Sequence, residues 1–206
     1  MKKKIIITGG LGYIGTELCR LYSGVSWHHK ILVIDNRFIS ERVNQIRNWN
    51  MEFIHGDILD KDLVDKYFSN ADVVHHLAGI TSVPRTKSES SREIDEKIKL
   101  VAEEGTQNIL NTISNECKLI FPSTHVVYEG ISEVKKDIKE NENTQPVLSY
   151  SSSKAANEKQ IKDSRKNYVI LRLGSVYGYS NDTMRIDIMP NLFSKIASQN
   201  GTLKLF

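Results

Sequence analysis

Residues 5–15 read IIITGGLGYIG, and this stretch constrains the fold more than any other. Three isoleucines and a threonine, all β-branched, run directly into glycines at positions 9, 10, 12 and 15. β-Branched residues favour a strand, and the apolar residues after the turn begin a helix. At such a junction the first helical N–H groups have no internal partner, and the helix dipole adds partial positive charge. A phosphate is stabilised there. A Cβ would hold it off the backbone, and glycine adopts positive φ without steric cost, so glycine suits the turn. Two spacings fit together, Gly10-x-Gly12-x-x-Gly15 and Gly9-x-x-Gly12-x-x-Gly15. Either one alone is equally consistent with an ordinary glycine-rich turn, so the rest of the chain must decide.

Short runs rich in Ile and Val recur at 5–7, 31–34, 51–54, 73–77, 119–121 and 169–173. They are apolar on consecutive residues, the pattern of strands buried on both faces in a parallel sheet. Helices are predicted between them at 15–23, 61–69, 93–114 and 150–164. In the third, Ile94, Ile98, Val101, Ile109, Leu110 and Ile113 form an apolar stripe, and the preceding SSRE resembles a capping box. Alternating strand and helix implies right-handed βαβ units, hence an α/β fold with a doubly wound parallel sheet. Residues 129–146, polar and aperiodic, are expected to form a surface loop.

Composition excludes several classes. The net charge is only +3, and basic and acidic residues are interspersed without a basic stripe, which argues against a nucleic-acid partner. The basic start MKKK is followed by too short an apolar run for a signal peptide, and no segment reaches the ~20 apolar residues of a membrane span. Cys19 and Cys117 have no metal-ligand or C-x-x-C spacing, so buried free thiols in a reducing compartment are expected. Adjacent His75 and His76 should point to opposite faces of their strand, which argues against a metal site. The expectation is a soluble cytoplasmic protein without a membrane partner.

The second strand, ILVID, ends in Asp35, about twenty residues after Gly15, where an acidic residue binds adenosine ribose hydroxyls. Together with the strand–turn–helix context, this makes the glycine turn a dinucleotide site. A carboxylate at that point repels a 2′-phosphate and favours NAD, although Arg37 is near enough to pair with such a phosphate. Further along, LSYSSSKAANE sets Tyr150 and Lys154 four apart at a helix start, hence on one face.

These segments together resemble the extended short-chain dehydrogenase/reductases of the NAD-dependent nucleotide-sugar epimerase/dehydratase family. TGGLGYIG is similar to the family's cofactor turn, GDILD to its adenine-side segment and HHLAGITSV to its H-L-A-A/G strand end. FPSTHVVY resembles the strand with the catalytic Ser/Thr, PVLSYSSSK matches P-x-x-x-Y-x-x-S-K, and LRLGSVYG resembles L-R-x-x-N-V-Y-G. The resemblance implies catalytic roles for Thr124, Tyr150 and Lys154. It implies cofactor contacts at Gly9, Gly12, Tyr13, Ile14, Gly15, Asp35, Asn36, Asp57, Ile58, Leu77, Ala78 and Gly79, shared by Tyr150 and Lys154. Substrate contacts fall on Ser82, Thr124, His125 and Ser175.

In such enzymes the tyrosine takes a proton from a sugar hydroxyl as hydride passes to the nicotinamide. A phenol of pKa ~10 is a poor base at neutral pH, so Lys154 and the bound nicotinamide are expected to lower Tyr150. The departures are informative. The family's 4,6-dehydratases follow the threonine with Asp-Glu, whereas this chain has His125 and Val126, and valine cannot transfer a proton. His125 is either a substrate contact or a packing residue. Ala102 and Ser175 replace two family asparagines.

The resemblance thus implies NAD-dependent epimerisation of a nucleotide sugar through a keto intermediate. A keto-sugar reductase or dehydrogenase and a non-catalytic dinucleotide-binding module are the alternatives. Residues 1–178 are expected to hold NAD and the catalytic residues, with 179–206 beginning a substrate lobe. Family members often pair through the helices corresponding to 93–114 and 150–164, so a homodimer is expected. NLFSKIASQNGTLKLF resembles the helix and strand that open the family's substrate lobe, and it ends on apolar alternation, so a fragment is expected.

Overall fold

The computed structural model describes residues 2–81, 86–180 and 183–204. Six strands form one wholly parallel sheet in the order β3-β2-β1-β4-β5-β6. They are β1 (Lys4–Thr8), β2 (Lys30–Asp35), β3 (Glu52–His55), β4 (Val73–His76), β5 (Lys118–Thr124) and β6 (Asn167–Leu173). The helices are α1 (Tyr13–Ser23), α2 (Ser40–Asn48), α3 (Lys61–Phe68), α4 (Arg92–Thr112), α5 (Ser149–Asp163) and α6 (Met189–Ser198). The sheet order reverses between β1 and β4, creating the switch point at which open α/β sheets bind ligands.

Consecutive apolar residues divide between two cores because side chains alternate across a strand. Ile6, Leu32, Ile34 and Val74 join Phe68, Ile109, Leu110 and Ile161 under α3, α4 and α5. Ile5, Ile7, Ile31 and Val33 join Cys19, Val43 and Ile46 under α1 and α2. Both cysteines are buried free thiols. Among the described residues, no helix is long and apolar enough to cross a membrane.

Three local expectations need correction, and one helix, α2, is not among those expected. Strand β6 is not buried on both faces: Tyr168 and Leu171 are exposed, because β6 is an edge strand. Helix α2 carries no periodic signal, since Val43 and Ile46 are its two buried residues and its cap, Ile39, offers no side-chain bond. Residues 201–204 are irregular rather than a strand, and 205–206 lie outside the described residues. The cap of α4 is Ser91, whose hydroxyl accepts the Ile94 N–H at 3.3 Å, one residue later than SSRE suggests. The loop at 129–146 is largely exposed, as expected.

Candidate active site

The glycine turn joins β1 to α1, and each glycine meets a different demand. Gly9 has φ +66°, and a Cβ on it would lie 2.8 Å from the Ala78 backbone nitrogen. A Cβ on Gly10 would meet Val33 at 2.1 Å, and one on Gly15 would meet the Gly9 carbonyl at 2.3 Å. Gly12 is the N-cap of α1, and a Cβ on it would lie 3.2 Å from the Gly9 carbonyl, a tight contact, and 3.9 Å from Arg37 Nη2. The Gly9-x-x-Gly12-x-x-Gly15 spacing thus describes the turn, while Gly10 is a packing glycine against β2. Ile14 is exposed in the first turn of α1. The Tyr13 hydroxyl donates to the Gly178 carbonyl at 2.6 Å.

Asp35 ends β2 with its side chain buried. Its Oδ2 accepts the Leu11 N–H at 2.9 Å, and its Oδ1 accepts the Arg37 N–H at 3.0 Å and Arg37 Nε at 3.3 Å. Arg42 Nη1 donates to the Leu11 carbonyl at 2.8 Å. Beside this group, Asn36 Nδ2 donates to Asp57 Oδ2 at 2.8 Å, and Asp57 Oδ1 accepts the Leu59 N–H at 2.9 Å. Ile58 is buried against Gly105, where a Cβ would clash at 2.3 Å.

A cleft at the ends of β4 and α5 brings together Leu77, Ala78, Gly79, Tyr150 and Lys154, with Ala102, Thr106 and Asn157 from α4 and α5. Lys154 Nζ donates to the Pro122 carbonyl at 2.9 Å and sits 4.4 Å from the Phe121 ring centre and 5.9 Å from that of Tyr150. Burial lowers Lys154 to about 8. In the chain alone, Tyr150 does not show the lowering expected from Lys154 and a bound nicotinamide. Burial raises its pKa, and Arg185 is the group that opposes the rise. Thr124 ends β5 outside the cleft lining, and its hydroxyl accepts the Val126 N–H at 3.3 Å. His125 is exposed, with Nδ1 3.2 Å from the Leu173 carbonyl. Ser175 is also exposed, and Ser82 lies outside the described residues. Where the family asparagine is replaced by Ala102, Asn157 Nδ2 donates to the Ala102 carbonyl at 2.9 Å.

Several supporting residues lie within or beside the quoted motifs, but their partners carried no sequence signal. His76 is buried between Thr8 Oγ1 (3.2 Å) and Thr106 Oγ1 (2.9 Å), and Thr8 Oγ1 also accepts the Ala78 N–H at 3.0 Å. His75 faces the other way, 2.8 Å from the Tyr22 hydroxyl, so the two histidines do diverge. Ser123 Oγ donates to Glu158 at 2.6 Å, and Arg172 binds both Glu158 oxygens at 2.9 and 2.6 Å. Buried Asn191 accepts the Gly178 N–H at 2.9 Å and donates to the Arg185 carbonyl at 2.8 Å, binding the start of α6 to the segment at Tyr13.

The NAD dependent epimerase/dehydratase family model matches residues 5–206. This chain belongs to that family. It is 30% identical to dTDP-D-glucose 4,6-dehydratase of Dictyostelium discoideum, covering 85% of this chain and 44% of the relative. It is 29% identical to UDP-glucose 4-epimerase of Neisseria meningitidis serogroup C, over 80% of this chain and 49% of the relative. The chain therefore spans about half the length of these curated relatives. The UDP-glucuronic acid 4-epimerase of Bacillus cereus, solved with UDP-glucuronic acid and NAD, superposes with a TM-score of 0.76 at 27% identity. That match covers 98% of this chain and 65% of the Bacillus chain.

Proposed function

We propose that this chain binds NAD and supplies the catalytic residues for epimerising a nucleotide sugar through a transient keto-sugar. The observation that carries the reading is the joint lining of one cleft by Tyr150, Lys154 and the β4 strand end 77–79. That cleft opens beside the glycine turn, since Gly9 packs on Ala78. The residues present fit a dinucleotide. Gly12 caps the N-terminus of α1 without a side chain, which suits a pyrophosphate there, and Asp35 ends β2, which suits the ribose. Asn36, Asp57 and Ile58 border the adenosine end, with Tyr13, Ile14 and Leu77 to Gly79 along the path. When bound, NAD supplies a centre that takes up hydride and returns it.

Tyr150 would hold the proton of the sugar hydroxyl, and Lys154, one turn away, would favour the phenolate. The Thr124 hydroxyl accepts from Val126 N–H, leaving its own proton free to donate to the same sugar oxygen. Val126 stands where the dehydratase pattern needs a proton-transferring side chain, which supports epimerisation over elimination of water. His125 and Ser175, both exposed at strand ends, and Ser82 are proposed substrate contacts. Residues 1–178 form the dinucleotide and catalytic part, and 179–206 contribute to the substrate lobe. The names of the Neisseria and Bacillus relatives support a UDP-sugar as substrate. Exposed Ile94 and Leu100 on α4 support a homodimer through α4 and α5, and the two free cysteines support a reducing cytoplasm.

The test is a calorimetric titration with NAD, followed by a thermal-shift screen of UDP-, dTDP- and CDP-sugars with NAD present. Hits are then analysed for epimer formation, and light scattering gives the oligomeric state. NAD binding with conversion of one sugar to its epimer is expected. Failure to bind NAD would remove the basis of the proposal, whereas net consumption of NADH with a keto-sugar would establish a reductase instead.

A further inference from the structure

We infer that the adenosine end of this site accepts a 2′-phosphate as well as a free 2′-hydroxyl, with Arg37 as the deciding residue. The inference rests on the dinucleotide reading above and concerns which dinucleotide the chain tolerates. A lone carboxylate at the end of β2 excludes a 2′-phosphate by like-charge repulsion. Here Asp35 does not stand alone. Its buried carboxylate already accepts three N–H groups, from Leu11 N, Arg37 N and Arg37 Nε. A carboxylate offers about four acceptor sites, so about one remains for a ribose that presents two hydroxyls. NAD therefore gains less from Asp35 than it would from an unencumbered aspartate.

Arg37 also supplies what a phosphate needs. Its ion pair with Asp35 at 3.3 Å uses Nε, and its side chain is 54% exposed, so it can pivot toward a ligand. Its Nη2 lies 3.9 Å from where a Cβ on Gly12 would stand. The guanidinium therefore overhangs the space between the glycine turn and the end of β2. Two terminal nitrogens of a guanidinium form a planar fork that matches phosphate oxygens. The other carboxylate at this edge, Asp57, is held by Asn36 and the Leu59 N–H. At the turn itself, the Arg37 guanidinium pairs with the Asp35 carboxylate, so the repulsion that rejects NADP is offset.

Calorimetric titration of the full chain with NAD and NADP, at low and high salt, tests this. Wild-type protein is expected to bind NADP within about tenfold of NAD, and Arg37→Leu to weaken NADP about tenfold or more while changing NAD less than about threefold. NADP affinity should fall more steeply with salt than NAD affinity, and the slopes should converge in Arg37→Leu. Circular dichroism checks folding. Should the leucine variant not fold, Arg37→Lys is used; it should weaken NADP selectively, because a point charge replaces the fork. A wild-type preference for NAD beyond about tenfold, or a variant that weakens both dinucleotides alike or neither, overturns the inference while leaving the NAD reading intact. Wild-type protein that binds neither dinucleotide overturns both.

Discussion

Tyr150 and Lys154 stand one helical turn apart, and burial drives both toward their neutral forms. It raises the phenol and lowers the ammonium to about 8. The protein without ligand therefore holds a protonated Tyr150 near neutral pH. Tyr150→Phe removes one hydroxyl, so NAD affinity should change by less than about 1 kcal/mol. Turnover should fall about 10²–10⁴-fold, the usual contribution of general acid–base help. Paired calorimetry and product analysis would check both, and near-normal turnover would show that another group is the base. The buried histidines make a pH prediction. Burial lowers His75 to about 4 and His76 to about 3, the latter aided by the charge of Lys154. Their folded pKa values lie below the unfolded ~6.5, so the unfolded state binds more protons in between. Their stabilising contribution is complete above about pH 6.5 and is lost as pH falls toward 3. His76→Gln should flatten the fall in melting temperature between those limits.

At the scale of elements, the glycine turn and the β4 end show two kinds of glycine. Gly9 needs positive φ and close approach to Ala78, so Gly9→Ala should cost about 2 kcal/mol or more and shift the β4 end with it. Gly79 has open space around it, and its side of the cleft faces the proposed cofactor. Gly79→Ala should leave the melting temperature nearly unchanged yet weaken NAD binding. Equal effects of the two substitutions on stability would contradict this division. All six strands were legible as short apolar runs, most of them because a strand buried on both faces writes its burial into consecutive residues; the edge strand β6 carries such a run although one face is exposed. Helix α2 was not, because two buried side chains in nine residues make no stripe.

For the molecule as a whole, the Glu158–Arg172 pair links α5 to the sheet's edge strand. Arg172 lies opposite Ser123 in the β5–β6 ladder, binds Glu158 and donates to the Glu140 carbonyl at 3.0 Å. It also donates to the Tyr128 hydroxyl. One side-chain set thus joins strand, helix and the exposed 129–146 loop, directly beside Thr124 and Lys154. Leaving one member of a buried pair without its partner typically costs 3–5 kcal/mol, so Glu158→Gln, which keeps some hydrogen bonding, should cost about 2–4. Glu158→Leu with Arg172→Met together should cost less than the sum of the single changes, as denaturant unfolding would show. Additive losses would mean that the two side chains act independently.

The sequence by itself determined the sheet class, the glycine turn between β1 and α1, the Asp35 position at the end of β2 and the Tyr150–Lys154 spacing. Each depends on local periodicity or on a fixed spacing along the chain, at most about twenty residues for Asp35 after Gly15. Tertiary structure decided what those residues meet. Arg37 and Leu11 converge on Asp35, and Pro122 receives Lys154. Asn157 reaches the carbonyl of Ala102, and Asn191 binds the segment that holds Tyr13. These contacts join residues far apart in the chain, and no local pattern encodes the distance between them. The direction of the Tyr150 shift also belongs to the fold, because it follows from how much water the packed helices exclude from the phenol.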